Sequence, residues 1–174
     1  MVHSQRKGAI FERKIAKDIS LWLTDGERGD LIRRSIMSGG RYTVAYKKGD
    51  DIYRDQAGDL SIAGNDKNVE SFLSWFVVEL KHYKDLQWDS FIYGKSKTQS
   101  VLSFWQKLVK ESKKVDKLPF MVVKQNNRDA LCILCTDGLY KLHCGDLVNF
   151  VSVKYDCCIM KFDDLITTVK WGSL

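Results

Sequence analysis

The feature that most constrains this chain is an apolar strand that ends in two opposite charges, Glu79 and Lys81. The run from Trp75 to Leu80 is dense in aromatic and β-branched residues, which favours a strand. Alternate residues of a strand point to opposite faces, so Glu79 and Lys81 share one face and Val78 and Leu80 take the other. The sequence therefore predicts a carboxylate beside an ammonium group at the end of this strand.

A second carboxylate, Asp59, stands where another strand is predicted to begin. A lone Glu-x-Lys pair is typical of a solvated salt bridge, which contributes little to stability. Asp59, however, follows Gly58 and precedes the alternating segment 60–63, so pairing within one sheet could bring it beside Glu79. We expect these two carboxylates and Lys81 to converge.

The first helix is predicted from apolar residues at helical spacing, followed by the stop signal Asp25-Gly26. Glu12 borders this apolar stripe, so it could reach the same cavity as the other carboxylates. Taken alone, Glu12 is typical of a solvated helix glutamate. The residues that define the stripe are Phe11, Ile15, Ile19 and Trp22.

The rest of the chain predicts a single α/β domain spanning residues 1–174. Segment 27–58 reads as a long functional loop with a short strand at 42–46, and segments 60–63 and 72–80 as two strands flanking a turn at 65–68, which favours a hairpin. The next element is a helix that starts near Val101 and ends near 117–119. It is followed by an antiparallel pair at 119–124 and 130–136 closed by Asp137-Gly138, a strand at 157–162, and a helix to Val169 capped by Asp163 or Asp164.

Two carboxylates and a lysine are the combination that phosphodiester cleavage requires. Hard carboxylate oxygens hold Mg²⁺, which stabilises charge on the phosphate and activates the attacking water, and Mn²⁺ is expected to substitute. Partial burial beside the metal can lower the pKa of a lysine. Lys81 could therefore orient the water, deprotonate it, or stabilise developing charge, and the sequence leaves these roles open.

Five segments in this order resemble the PD-(D/E)xK nuclease superfamily, and within it the Holliday junction resolvase-like enzymes of archaea, bacteria and their viruses. The resemblance covers about residues 5 to 128. The segments are Lys7-Gly8-Ala9-Ile10-Phe11-Glu12-Arg13, Arg34-Ser35-Ile36-Met37-Ser38-Gly39-Gly40, Gly58-Asp59-Leu60, Val78-Glu79-Leu80-Lys81 and Phe104-Trp105-Gln106.

The resemblance implies a restriction-endonuclease-like fold, a mixed central sheet flanked by helices. It also implies that Asp59 and Glu79 bind metal, that Glu12 completes the acidic cluster and that Lys81 is catalytic. Gln106 is similar to a helix glutamine often found after the lysine. Gly58 departs from the pattern by standing where these enzymes have proline. Asp50, Asp51 and Asp55 compete with Asp59 for the metal position, and Asp59 is preferred because a strand follows it.

Candidate DNA contacts come mainly from the long loop, where glycines let the backbone approach closely and basic side chains could contact phosphates. A solvated flexible loop is the competing interpretation. Lys95 and Lys97 form a weaker second candidate. The proposed nucleic-acid-binding residues are Lys7, Arg33, Arg34, Ser38, Gly39, Gly40, Arg41, Lys47, Lys48 and Gln106.

The chain carries a formal charge of +6 and a pI near 9.0, which favours a polyanionic partner without identifying it. The sequence has neither an apolar run long enough to span a membrane nor a signal peptide, so we expect a soluble intracellular protein. It also lacks a motif for a nucleotide cofactor. Five cysteines between Cys132 and Cys158 are expected to be buried free thiols, because Cys132 and Cys135 would face opposite sides of one strand.

The cluster predicts a Mg²⁺-dependent endodeoxyribonuclease, and the resemblance to resolvase-like enzymes implies that it acts as a homodimer on branched DNA during recombination or repair. Trp88, Phe91 and Tyr93 are candidates for the dimer interface, although buried packing would also explain them. The alternatives are a nuclease acting on linear duplexes or ends, a DNA-binding module of the same fold that does not cut, and a regulatory protein whose cysteines bind zinc.

Overall fold

A computed structural model describes residues 2–35, 57–94 and 100–173 of the chain. Several sequence predictions therefore lie outside the described residues: the strand at 42–46, the competing aspartates Asp50, Asp51 and Asp55, and much of the binding loop. The binding candidates outside them are Ser38, Gly39, Gly40, Arg41, Lys47, Lys48, Lys95 and Lys97.

The described strands form two sheets, a two-stranded antiparallel sheet and a five-stranded mixed sheet. The larger sheet has the order β3-β4-β5-β7-β6, in which β3 and β4 are parallel and all other neighbours antiparallel. This arrangement confirms the predicted mixed central sheet. The strands are β1 Ile32–Arg34, β2 Leu60–Ile62, β3 Phe76–Tyr83, β4 Leu118–Gln125, β5 Ala130–Leu134, β6 Phe150–Ser152 and β7 Cys157–Lys161.

Helices cover both faces of the larger sheet, and each face has its own apolar cluster. On one face Val78 and Leu80 pack with α1, α2 and α6, and on the other Val77 packs with α4. Buried apolar surface on both faces supplies the main driving force for this layered fold. The described α-helices are α1 Val2–Leu23, α2 Lys67–Trp75, α3 Ser90–Tyr93, α4 Val101–Lys114, α5 Thr136–Lys141 and α6 Phe162–Thr168.

The predicted first helix is confirmed, and all four residues of its apolar stripe are buried. The predicted α4 is confirmed as well, with Trp105 fully enclosed and its indole N–H donating to the carbonyl of Tyr155 at 3.0 Å. The antiparallel pair β4 and β5 also forms. The sequence predicts these long elements correctly because one face of each packs on the core and so carries periodic apolar residues.

The predicted hairpin between segments 60–63 and 72–80 is wrong, because α2 separates the two strands. Asp66 caps this helix by accepting hydrogen bonds from the amides of Asn68 and Val69. Val69, Phe72 and Leu73 are its buried residues, and they have helical rather than alternating spacing. The strand predicted from Phe72 therefore begins four residues later, at Phe76.

Two smaller corrections concern residues read as a turn and as a cap. Asp137-Gly138 lies inside α5 rather than in a turn closing β5. Asp163 and Asp164 occupy the first turn of α6, whose N-cap is Lys161, so their carboxylates favour the helix dipole without capping it. The segment read as a long loop also contains β1, which pairs with the distant β2.

All five cysteines are free and buried, as expected. Cys132 belongs to the cluster under α1 and Cys135 to the cluster under α4, so the sheet separates them. Burial raises the pKa of each thiol; that of Cys144 rises to about 11. Over the described ranges, no helix is long and apolar enough to cross a membrane.

Gly58 links the two sheets, because it forms a parallel bridge with Val78 of β3. Its φ angle is +94°, and a Cβ atom there would lie 2.5 Å from the carbonyl oxygen of Val78. Proline, whose φ is fixed near −65°, cannot adopt this conformation. The structure therefore explains why glycine replaces the proline expected from the resemblance.

We predict that Gly58→Ala lowers the free energy of unfolding by about 1–3 kcal/mol, because it combines an unfavourable φ with a backbone collision. Thermal unfolding measures this as a fall in Tm of about 2–4 °C per kcal/mol for a chain of this size. Gly145→Ala is the control, since an added methyl there meets nothing within 4 Å. Equal Tm values for the two variants would contradict this account.

Candidate active site

Asp59 lies at the edge of β3, held there by backbone hydrogen bonds. Its N–H donates to the carbonyl of Val78 at 2.7 Å, and its own carbonyl accepts from the amide of Ser35 at 2.8 Å. Its side-chain Oδ2 accepts from the amide of Leu80 at 2.8 Å. Because both main chain and carboxylate are held, the 6%-exposed Asp59 side chain is fixed against the strand that carries the other charges.

Glu79 and Lys81 lie two residues apart on β3 and form an ion pair. Their side chains are 14% and 24% exposed, on the sheet face covered by α4. The Lys81 Nζ lies 5.7 Å from the ring centroid of Phe104 on α4, and that ring stacks on Tyr83 at 5.3 Å. The alternation predicted for β3 is confirmed, and Phe104 gives the ammonium group an aromatic wall.

Glu12 approaches the same edge from α1. Its side chain is 14% exposed and pairs with the guanidinium of Arg34 on β1. The oxygen that Glu12 places in this ion pair, Oε2, is buried. Glu12 also raises the pKa of Asp59, a sign that the two carboxylates are close. The helix border predicted for Glu12 thus places it at the acidic cluster.

The pKa of Asp59 is raised to about 7. Burial is the largest cause, the negative charge of Glu79 comes next and Glu12 adds to it, whereas Lys81 and the Leu80 amide act in the opposite direction. Removing a carboxylate from water while placing like charges around it penalises ionisation. The site therefore has more negative charge than its internal cations neutralise, and a bound cation would relieve this.

Lys81 keeps its proton in this environment. Burial alone would lower its pKa, but Glu79 and Asp59 outweigh burial and raise the pKa above its usual value. The described neighbours of Lys81 thus shift its pKa upward, whereas the sequence raises the possibility of a lowered pKa. An ammonium group that is charged at neutral pH can orient a water molecule or stabilise an oxyanion, and neither role requires it to accept a proton.

The donor chemistry of the cluster fits a hard divalent cation. Asp59, Glu79 and Glu12 supply carboxylate oxygens only, the ligand type that Mg²⁺ prefers. Among the residues described, no group of three or more His, Cys, Asp or Glu side chains is positioned to hold a metal ion by itself. Mg²⁺ fits such a site, because it usually binds one or two carboxylates and completes its shell with water and substrate phosphate.

The comparisons with known proteins bear directly on this site. Residues 3–173 match the model of a family described as "Phage putative PDDEXK endonuclease". The chain belongs to this family. Searches of curated proteins and of solved structures found no match. Membership in the PDDEXK family confirms the superfamily resemblance drawn from the sequence, while a resolvase-like specificity within it stays a prediction.

In this PDDEXK chain, a cleft of about 900 Å³ opens beside the acidic cluster. It lies between the start of α1, the end of β3 and the turn that follows β4. Sequence reasoning identified some of its residues but missed Arg6, His82, Lys84 and Asn126. For two of these the sequence did offer a clue, because Arg6 is next to Lys7 and Lys84 lies three residues after Lys81. The lining residues are Arg6, Lys7, Gly8, Ile10, Glu12, Leu80, Lys81, His82, Tyr83, Lys84 and Asn126.

The other binding residues predicted from the sequence take different positions. Lys7 lines the cleft and donates from Nζ to Oδ1 of Asn126 at 3.4 Å. Arg34 pairs with Glu12, and Arg33 is exposed on β1. Gln106 is exposed on α4, two residues beyond Phe104. The choice of Asp59 over Asp50 and Asp51 stays a prediction, because those two lie outside the described residues.

We predict that Asp59→Asn stabilises the metal-free protein at pH 8 but not at pH 4. The folded-state pKa of about 7 lies above that of an aspartate in the unfolded chain, so stability is lost as pH rises through this window. Asparagine imitates the neutral carboxyl and can still accept from the Leu80 amide. Thermal unfolding in chelator should show a Tm gain of roughly 5 °C or more at pH 8.

The control for this measurement is Asp85→Asn, which changes an exposed carboxylate. It should leave Tm nearly unchanged at both pH values. An Asp59→Asn variant that is less stable than the parent at pH 8 would show that burial and the neighbouring carboxylates do not raise the pKa of Asp59.

Proposed function

We propose that this chain is a metal-dependent endonuclease that hydrolyses phosphodiester bonds in DNA. The observation that carries the proposal is the buried Asp59 carboxylate at the edge of β3, beside the Glu79–Lys81 pair. Like-charged carboxylates held together at a cost in ionisation free energy favour a functional site over a structural one. The family description names an endonuclease, which supports the same reaction.

In this proposal Asp59 and Glu79 hold the metal ion and Glu12 completes the acidic cluster. When bound, Mg²⁺ or Mn²⁺ would stabilise charge on the phosphate and lower the pKa of the attacking water. The hydrogen bond from the Leu80 amide orients Asp59, and the pairing with Arg34 holds Glu12 until a ligand arrives. The residues thus supply a rigid set of oxygen donors.

Lys81 acts as a cation in this proposal. Its ion pair with Glu79 holds the ammonium group where it can orient the water or stabilise charge on the phosphate. Phe104 restricts the ammonium group from one side, so its position depends on packing as well as on Glu79. A preorganised cation costs no reorganisation when charge develops in the transition state.

We predict that Lys81→Ala and Lys81→Met reduce DNA cleavage by at least about 100-fold, the usual cost of removing one electrostatic catalyst. DNA affinity should stay nearly intact, because many phosphate contacts share it. Asp59→Asn and Glu79→Gln should behave similarly. Cleavage is measured on labelled DNA with Mg²⁺, with Mn²⁺ and in excess chelator, which should stop it.

Lys81→Met keeps the aliphatic stem against Phe104 and so separates lost charge from lost packing. Lys110→Met, on the exposed side of α4, is the matched control and should cut at the parental rate. Full activity in chelator or in Lys81→Met would overturn the assigned site. Activity retained only by Asp59→Asn would move the metal ligand to Asp50 or Asp51.

The finer proposal is a homodimer that acts on branched DNA. A four-way junction is pseudo-symmetric and its resolution needs paired nicks, which two related subunits can make. Among the interface candidates Phe91 is buried against Phe150 and Tyr155, Trp88 is half-buried, and Tyr93 is exposed. Phe150, Val151 and Val153 add exposed apolar surface at the β6 edge of the sheet, where a second copy could pack.

We predict a dimer by light scattering and faster cleavage of a four-way junction than of linear duplex, flap or single strand. Nicks should map to symmetric positions. Val151→Lys, which places a charge on the exposed side of β6, should yield monomers with little loss of Tm. A monomer that prefers linear duplex would favour the alternative of a duplex- or end-processing nuclease, and DNA binding without any cutting would favour a binding module.

A further inference from the structure

The cleft beside the acidic cluster contains cations that the described part of the chain leaves without partners. Arg6 and Lys84 are exposed and form no ion pair or hydrogen bond with described residues. Lys7 donates only to an amide oxygen, that of Asn126. The acidic residue of the cleft, Glu12, is already paired with Arg34 outside this group. Positive charge that converges on a cleft without internal compensation favours an anionic ligand.

Asn126, which also lines the cleft, adds a neutral hydrogen-bond donor. Its Oδ1 lies 3.0 Å from Nε2 of His82 and accepts from Lys7, whose ammonium cannot serve as an acceptor. The contact with Lys7 therefore identifies which side-chain atom of Asn126 is the oxygen. The other atom is the amide nitrogen Nδ2, which carries two N–H donors. Within the described residues that nitrogen has no acceptor.

Contacts with α1 and β3 hold His82 and Asn126 in place. The centroid of the His82 ring lies 5.2 Å from that of the Phe11 ring. The backbone N–H of Asn126 donates to the backbone carbonyl of Tyr83 at 3.1 Å. The turn after β4 is therefore tied to the end of β3, the strand that carries Lys81. Lys84 lies three residues beyond Lys81, directly after the end of β3. The donors thus continue outward from the proposed site of cleavage.

We propose that Arg6, Lys84 and Asn126 bind backbone phosphates that flank the scissile phosphate on the DNA strand being cut. This inference rests on the proposed function, since it takes the ligand to be the nuclease substrate. A row of donors without acceptors matches phosphodiester oxygens, which only accept hydrogen bonds. The contacts carry no base information, so they set the register of the strand relative to Lys81 for any sequence.

The test measures DNA affinity in excess chelator, where cutting does not interfere. Arg6→Gln/Lys84→Gln is compared with the parent by fluorescence anisotropy of a labelled duplex across a salt series. Loss of two phosphate contacts should lower the slope of log K against log salt by about 1.8 and weaken binding at low salt by at least about 10-fold. Lys110→Gln/Lys113→Gln, on α4, removes the same charge from exposed positions elsewhere and should leave the slope unchanged.

Asn126 is tested separately because it is neutral. Asn126→Asp would place a carboxylate against phosphate and should weaken binding more than Asn126→Ala, with both variants melting close to the parent. Equal slopes for the parent and the Arg6/Lys84 variant, or equal losses in the α4 control, would overturn the inference.

The outcomes for the two proposals are distinguishable. Protein that binds DNA through the cleft but never cuts would overturn the proposed function and leave the phosphate site standing. Protein that cuts DNA although substitutions at Arg6, Lys84 and Asn126 leave its DNA binding unchanged would overturn the phosphate site and leave the proposed function standing.

Discussion

The candidate site depends on the hydrogen bonds between Asp59 and β3. The amide of Asp59 binds the Val78 carbonyl, and its carboxylate binds the Leu80 amide, so one residue joins the small sheet to the large one twice. These bonds form only because Gly58 adopts a φ of +94° and has no Cβ to meet the Val78 carbonyl. A local backbone constraint therefore fixes the distance between the two chain segments that carry the acidic residues.

The same arrangement creates electrostatic strain. Burial and like charges raise the pKa of Asp59 to about 7, and the internal cations Lys81 and Arg34 neutralise the cluster only partly. Buried charged groups are weak evidence for stability, because desolvation offsets much of their attraction. A cluster that costs folding free energy is retained more readily where it performs chemistry, and a divalent cation would balance its charge.

The cluster lies at a sheet edge, where one strand could serve both binding and chemistry in the proposed function. Asp59 lies beside the middle of β3, and the last residues of β3 line the cleft. On its other side, β3 pairs with β4. Side chains from both faces meet there: Glu79 and Lys81 on the α4 side, and Glu12 from α1. A polyanion lying along this edge would contact basic side chains before reaching the carboxylates.

The sequence by itself determined the long elements and the identity of the cluster. Apolar runs and periodicity revealed α1, α4 and the strands β3, β4, β5 and β7 of the main sheet, but not the short edge strand β6. Alternation along β3 correctly assigned Glu79 and Lys81 to one face. It failed at α2, where an aromatic run resembled a strand although the Asp66 cap and the spacing of Val69, Phe72 and Leu73 were helical. Short apolar runs satisfy both periods, so local pattern could not decide between them.

Only the tertiary structure decided which distant groups meet. The contact of Asp59 with Leu80, the pairing of Glu12 with Arg34 and the cleft that joins Arg6, Lys84 and Asn126 link residues between 20 and 120 positions apart in the chain. The raised pKa of Lys81 is of the same kind, since it follows from how burial and two neighbouring carboxylates compete at one point in space. Sequence spacing determines which face of an element a side chain occupies, but packing between elements determines its neighbours and its charge.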